Sequence, residues 1–263
     1  MKICFIGSGN MAQAMISGIL NAKICDKSDI ISTAAHEKTL KEVEKKFFIN
    51  TTLKNTDAVK SSDWIILAVK PQFLSDITEE IKDFTENKNI ISILPGKTLS
   101  YLRENFKKAK NIVRVMPNTP ATVLKAMSVI CFEKTISEED KQTVVQLFNS
   151  FGETEILDER YMDAVTGISG SSPAYVFIMI EAMADAGVYA GLSRKTAYKL
   201  AAQSVLGSAE MVLKNEKLPA ELKDAVCSPA GTTIAAVREL EKCGFRSAII
   251  EAITSCVNRA SQM

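Results

Sequence analysis

Through the first 158 positions, short apolar runs alternate with stretches in which apolar residues recur every three or four positions among lysines and glutamates. The first run ends at Ile6; others lie at Ile30 to Thr33, Trp64 to Val69, Ile90 to Leu94, Ile112 to Val115 and Ser128 to Phe132. These read as strands, and stretches such as Glu37 to Phe47 and Ser137 to Phe148 as helices with solvated outer faces. The alternation predicts an α/β fold, a parallel sheet covered by helices. Beyond about Asp158 the strand-like runs stop and amphipathic helical patterns continue to the end. We therefore expect two domains, residues 1–158 and 159–263.

The helical half raises a question of cover. Pro173 to Tyr189 is apolar around most of its circumference, with only Glu181 and Asp185 charged. In the last helix Phe245, Ala248, Ile249, Ala252, Ile253, Cys256 and Val257 follow the spacing of a buried stripe. A half of about 105 residues has too little chain to wrap such helices, so dimerisation through them is expected.

The first strand runs straight into Gly7-Ser8-Gly9-Asn10-Met11-Ala12 and a helical pattern in which Met11, Met15, Ile19 and Leu20 share a face. Gly7 permits a sharp turn, Gly9 removes a side chain that would block a phosphate, and Ala12 lets helix and strand approach closely. The first N–H groups of a helix have no intrahelical partners, and the helix dipole favours an anion there. This pattern reads as the seat of a dinucleotide pyrophosphate in a Rossmann-like, doubly wound sheet; a tight strand-to-helix connection in another α/β protein is the alternative.

With 32 basic and 31 acidic residues the net charge is +1, which gives no footprint for nucleic acid. Cys4, Cys25, Cys131, Cys227, Cys243 and Cys256 form no C-x-x-C pair and read as small buried hydrophobes of a reducing compartment. No basic leader precedes the first strand and no run approaches the ~18 apolar residues of a membrane span. A cytoplasmic protein without membrane partners is expected. The single histidine, His36, leaves no metal site or histidine-based triad in view.

Three more loops follow strands, at the ligand-bearing edge of such a sheet: Ala68 to Gln72, Leu94 to Gly96, and Met116 to Ala121 with Asn118 at its centre. Pro71, Pro117 and Pro120 stiffen them. Ser169-Gly170-Ser171-Ser172-Pro173 reads as a capped helix start whose hydroxyls could also meet a ligand. Ser228-Pro229-Ala230-Gly231-Thr232-Thr233 opens another helix, with accessible N–H donors beside two threonine hydroxyls. That suits a carboxylate together with a neutral hydrogen-bonding atom.

Taken together, these segments resemble pyrroline-5-carboxylate reductase over essentially the whole chain. The most specific stretch is Leu222-Lys223-Asp224 with Ser228 to Ile234 and, later, Gly244-Phe245-Arg246; Arg114 to Ala121 and Asp163 to Gly167 agree as well. The resemblance implies a Rossmann domain followed by an all-helical dimerisation domain, in homodimers that often form decamers. It implies a cofactor held by Ile6, Gly7, Ser8, Gly9, Asn10 and Met11 and by Ala68, Val69, Lys70 and Pro71, with Asn55 at the adenosine half; Asn118 is counted with this group. It gives Ser228 and the backbone of Gly231, Thr232 and Thr233 the substrate carboxylate, and the Thr233 hydroxyl the ring nitrogen. Two positions depart from the family pattern: Ala230 replaces a glycine and Leu218 a histidine.

The implied reaction is reduction of the C=N bond of 1-pyrroline-5-carboxylate to proline, with Thr233 orienting the nitrogen and Ser171 a second candidate. A protonated imine is already electrophilic, so alignment does most of the work. A β-hydroxyacid dehydrogenase shares the two-domain plan, but its lysine position is Val176 here. A non-catalytic dinucleotide sensor would have no use for the polar loop at Ser228 to Thr233. The second strand ends Ser32-Thr33-Ala34-Ala35-His36 without the carboxylate that grips a ribose 2′-hydroxyl, which favours NADPH over NADH, with Thr33, His36 and Lys38 as phosphate contacts.

Overall fold

Strands at the middle of the sheet are buried on both faces, and their alternation divides the core in two. The computed structural model describes residues 1–262, in one compact unit made of Met1–Ser171 with the segment from Cys256 onward, and a second made of Ser172–Ser255. In chain order the first unit holds β1 (Ile3–Ile6), α1 (Asn10–Asn21), β2 (Ile30–Thr33), α2 (Glu37–Phe47), β3 (Asn50–Thr52), α3 (Asn55–Lys60), β4 (Trp64–Leu67) and α4 (Leu74–Ile81). It continues through β5 (Asn89–Ser92), α5 (Leu99–Asn105), β6 (Asn111–Met116), β7 (Ala126–Phe132), α6 (Glu138–Asn149), β8 (Gly152–Ile156) and α7 (Met162–Val165). The sheet order is β3-β2-β1-β4-β5-β6-β7-β8. Successive side chains point to opposite faces. Ile3 and Phe5 therefore pack with Met15, Ile16, Ile19, Phe148 and Phe151 on one side, while Cys4 and Ile6 pack with Leu74, Leu102 and Phe106 on the other.

The all-parallel expectation needs one correction. β1 to β6 are mutually parallel, but β7 runs antiparallel to β6, and β8 is parallel to β7. The chain between β6 and β7 holds only a 3₁₀ turn, Thr119–Val123. A parallel return needs a longer crossover, usually a helix. Between β7 and β8 that helix exists, α6, and the pair is parallel. The outermost strands β3 and β8 are half-exposed and polar, so no apolar run announced them.

The first compact unit extends to Ser171 and includes the end of the last helix. Of the six cysteines, all free, only Cys4 and Cys131 are buried; Cys25, Cys227 and Cys256 are half-buried and Cys243 is exposed. Burial pushes the Cys4 thiol up to about 12 and the Cys131 thiol to about 11, so both stay protonated and unreactive.

The second unit consists of helices α8 (Ser172–Tyr189), α9 (Arg194–Lys214), α10 (Pro219–Val226), α11 (Thr232–Lys242) and most of α12 (Phe245–Ala260). α8 and α9 meet through small residues: a Cβ built on Gly187 would lie 3.0 Å from that of Ala197. Between residues 172 and 255 the buried apolar residues are three alanines, Ala184, Ala197 and Ala201. Phe177, Ile178, Leu200, Leu206 and Leu213 are exposed. The α12 stripe is likewise uncovered within one chain: Ile249, Ile253, Cys256 and Val257 are half-buried, whereas Phe245, Ala248 and Ala252 are exposed. Among the described residues no helix is long and apolar enough to cross a membrane.

Candidate active site

The glycine turn is built as its sequence suggests and held more firmly than its sequence shows. Gly7 has φ +102°, and a Cβ there would sit 2.7 Å from the Ala68 carbonyl oxygen and 2.9 Å from Val69 Cγ1. Only glycine meets both conditions. The Ala68 to Pro71 loop is thereby brought against the turn, and the Ala68 N–H donates to the Ile6 carbonyl at 2.9 Å. Gly9 begins α1 with extended backbone, no side chain caps that helix, and its first turn carries no acidic residue. A Cβ on Gly9 would meet nothing within 4 Å, so the space before the helix N-terminus is open. The residues present thus fit a phosphate-bearing cofactor.

Within this group the side chains divide. Ile6 is in the core on one face of the sheet, and Met11 is half-buried against the core on the other. Ser8 is buried; its hydroxyl donates to the Thr33 carbonyl at 2.8 Å and lies 2.7 Å from the Ser32 hydroxyl. These three residues can offer a ligand backbone only, whereas Asn10 and Lys70 are exposed. Gln13, which local sequence signals do not single out, donates from Nε2 to the Ser8 carbonyl at 3.1 Å and pins the turn from the helix side.

Thr33 departs from expectation. Its hydroxyl accepts the Gly7 N–H at 3.3 Å and donates to Asn55 Oδ1 at 2.6 Å. Its one proton is committed, and the lone pair left over repels phosphate oxygen, so Thr33 is not a phosphate contact. His36 and Lys38, the other two candidates, are exposed around the start of α2. Asn55 Nδ2 in turn donates to Glu80 Oε2 at 2.7 Å, a partner on α4 that nothing in the local sequence marks.

Asn118 and the Ser169 to Pro173 segment are also joined, in a way the capping pattern does not reveal. Thr166–Gly170 forms a π-helical turn after α7, with the Ser171 N–H reaching the Thr166 carbonyl, and α8 begins just beyond it at Ser172 with Pro173 in its first turn. Pro173 has no N–H to offer the carbonyl four residues back, and its ring crowds that carbonyl. That carbonyl, on Ser169, accepts from Asn118 Nδ2 at 3.0 Å, while Asn118 Oδ1 accepts the Met127 N–H at 2.9 Å. The Asn118 side chain therefore braces the wide turn. Ser171 accepts the Cys256 thiol proton at 3.2 Å and keeps its own proton to donate.

In the second unit, α11 starts at Thr232 after Gly231, with no side-chain cap and no acidic residue in its first turn. Ser228 and Thr232 are exposed and Thr233 is half-buried. Gly231 closes a tight turn, its N–H donating to the Ser228 carbonyl at 3.0 Å, and a Cβ on it would collide with the Ser228 hydroxyl. Ala230 has φ +58°, the left-handed region that disfavours a Cβ. Ala230→Gly should therefore stabilise the protein by about 0.5–1 kcal/mol, after allowing for glycine's freedom in the unfolded chain. Urea unfolding at fixed protein concentration measures this; an unchanged midpoint would mean that the loop bears no strain.

Two family models match: pyrroline-5-carboxylate reductase dimerisation over residues 159–263, and coenzyme F420-dependent NADP oxidoreductase over residues 2–96. The pyrroline-5-carboxylate reductase of Methanosarcina acetivorans is 42% identical, covering 100% of this chain and 97% of its own. That of Escherichia coli is 41% identical, covering 100% and 98%. A crystal structure of Plasmodium falciparum pyrroline carboxylate reductase with NADP bound superposes with a TM-score of 0.90 at 34% identity, covering 100% of this chain and 97% of that one. With the glycine turn, the 68–71 loop and the open α11 N-terminus all in place, likeness of this extent makes the chain a member of the pyrroline-5-carboxylate reductase family.

Proposed function

We propose that this protein reduces the cyclic imine 1-pyrroline-5-carboxylate to L-proline with NADPH, the closing step of proline synthesis. The observation that carries this reading is the end-to-end likeness to reductases of that name, coupled with a glycine turn open at a helix N-terminus. The backbone of Gly7 to Met11 receives the cofactor pyrophosphate, Ala68 to Pro71 border it, and Asn55 meets the adenosine half. When bound, the cofactor supplies a hydride. With no carboxylate at the end of β2, a 2′-phosphate is tolerated there, and His36 and Lys38 are its contacts. Asn118 serves from behind, through the wide turn that it braces.

The α11 N-terminus and the Ser228 hydroxyl take the substrate carboxylate, because unpaired N–H groups and the helix dipole favour an anion. The Thr233 hydroxyl holds the ring nitrogen. Ser171, with its proton free to donate, is the second group able to pass one to that nitrogen. Purified protein mixed with NADPH should oxidise it only once pyrroline-5-carboxylate is added, read as loss of absorbance at the reduced nicotinamide band. Oxidation without the imine, or none with it, overturns the assignment.

The working form is a homodimer joined through the helical unit, because three buried alanines cannot hold together a unit that exposes Phe177, Ile178, Leu206 and Leu213. A second copy of the same surface provides self-complementary cover. Light scattering at low micromolar concentration should give twice 28.7 kDa, or ten times that mass if dimers assemble into decamers. A mass of 28.7 kDa would refute the dimer. The six free cysteines fit a reducing, cytoplasmic setting.

A further inference from the structure

We propose that Thr33 and Glu80 are positioning residues for the cofactor. By fixing the Asn55 amide from both ends, they present its remaining N–H and lone pair to a ribose hydroxyl of the dinucleotide. This rests on the reading that the glycine turn binds a dinucleotide.

An asparagine amide offers two donors and two acceptor lone pairs. At Asn55 one of each is taken: Oδ1 accepts from the Thr33 hydroxyl at 2.6 Å, and Nδ2 donates to Glu80 Oε2 at 2.7 Å. Turning the amide over would set its oxygen against the Glu80 carboxylate, acceptor against acceptor, so one orientation prevails. One N–H and one lone pair remain on the same planar group. A hydroxyl both donates and accepts, and is the ligand group that satisfies the two together.

The third link ties this arrangement to the turn. Thr33 is 1% exposed, and its hydroxyl also accepts the Gly7 N–H at 3.3 Å. The hydroxyl proton therefore has one acceptor, Asn55. The first glycine and the amide are set by a single side chain at the end of β2. Glu80, by contrast, is an exposed residue of α4 with no place in the core. A carboxylate fastened to a neighbouring amide at an exposed position contributes little to stability in itself. Its effect on the orientation of Asn55 is specific.

The test compares Thr33→Val, Thr33→Ser, Glu80→Ala and Glu80→Gln with the unaltered protein, in steady-state kinetics with NADPH and pyrroline-5-carboxylate and in melting temperature. Removing either hydrogen-bonding group should raise the KM for NADPH about tenfold, the effect of losing one well-placed hydrogen bond. The kcat and the KM for the imine should stay within about twofold, since the hydroxyl contact is equal in ground and transition states. Thr33→Ser keeps the hydroxyl and Glu80→Gln keeps an acceptor oxygen, so both should restore the NADPH KM.

An unchanged NADPH KM in Glu80→Ala overturns the proposal, and because Glu80 is exposed that variant folds even if Thr33→Val does not. So does a Glu80→Gln as impaired as Glu80→Ala, or shifted in its choice between NADPH and NADH, since Glu80 would then act through its charge. A fall in melting temperature with kcat and both KM values moving together would mean a merely structural tie. If the unaltered protein binds neither NADPH nor NADH, the functional reading itself fails, and that result is visible before any variant is made.

Discussion

Gly7→Ala should abolish useful cofactor affinity while costing the protein several kilocalories of stability. A side chain at φ +102° is strained, and its Cβ would stand 2.7 Å from the carbonyl oxygen of Ala68, a residue whose N–H is bonded to the Ile6 carbonyl. Backbone strain and overpacking together amount to roughly 3–5 kcal/mol. The chain can relieve them only by moving β1 away from the Ala68 to Pro71 loop, which opens the phosphate seat. We expect the dissociation constant for NADPH to rise at least about 100-fold, equal to about 2.7 kcal/mol of binding. Fluorescence titration of the folded variant below its melting temperature measures it. Gly18→Ala is the control: its Cβ would lie 2.6 Å from that of Phe151, so it too destabilises, but at the far end of α1. Equal losses of affinity in both variants would show that general damage, not the turn, is responsible. Undiminished affinity in Gly7→Ala would remove the dinucleotide from this turn.

Thr233→Ala should lower kcat roughly 100-fold and leave the NADPH dissociation constant unchanged, in the range found when one donor aimed at developing charge is removed. The nitrogen of the imine changes most in charge during reduction, so a hydroxyl held on it acts mainly in the transition state and its loss falls on kcat more than on KM. Thr233 is the second residue of α11, on a helix end with no competing cap. Its hydroxyl therefore costs the fold nothing to lose, and the melting temperature should stay within about 2 °C. Thr233→Ser, which keeps the hydroxyl, should retain most activity. An unchanged kcat/KM in Thr233→Ala would take it out of the site and leave Ser171 as the residue to replace.

Much of this architecture is legible in the amino-acid pattern, and the exceptions have physical causes. β1, β2 and β4 to β7 are central or near-central strands, so burial on both faces writes them as apolar runs. β3 and β8 lie at the sheet edges and carry Asn50-Thr51-Thr52 and Gly152-Glu153-Thr154-Glu155, which look like loop. Strand direction has no signature in a run of valine and isoleucine. The short connection before β7 was the available clue, since no helix fits between Met116 and Ala126. Glycines at the turn were legible because a backbone at φ +102° admits little else. The bonds that join Thr33, Asn55 and Glu80 were not, because they span 22 and 25 residues and depend on β2, α3 and α4 meeting in three dimensions. The Ser169 to Pro173 segment is legible as the start of α8, but the π-helical turn before it and the bond from Asn118 are not, because they depend on residues of another loop. Amphipathic patterning in α12 marks a stripe that one chain leaves half-buried or exposed, so the pattern alone does not show it buried.

The bolted glycine turn has a consequence for the way a carrier is captured. Gly7 is tied to Thr33, Ser8 to Ser32 and Thr33, and Gln13 back to Ser8. A loop so restrained has surrendered its conformational freedom during folding, and an arriving pyrophosphate has none left to take away. For the proposed pyrophosphate seat, selectivity resides in a shape that precedes the guest.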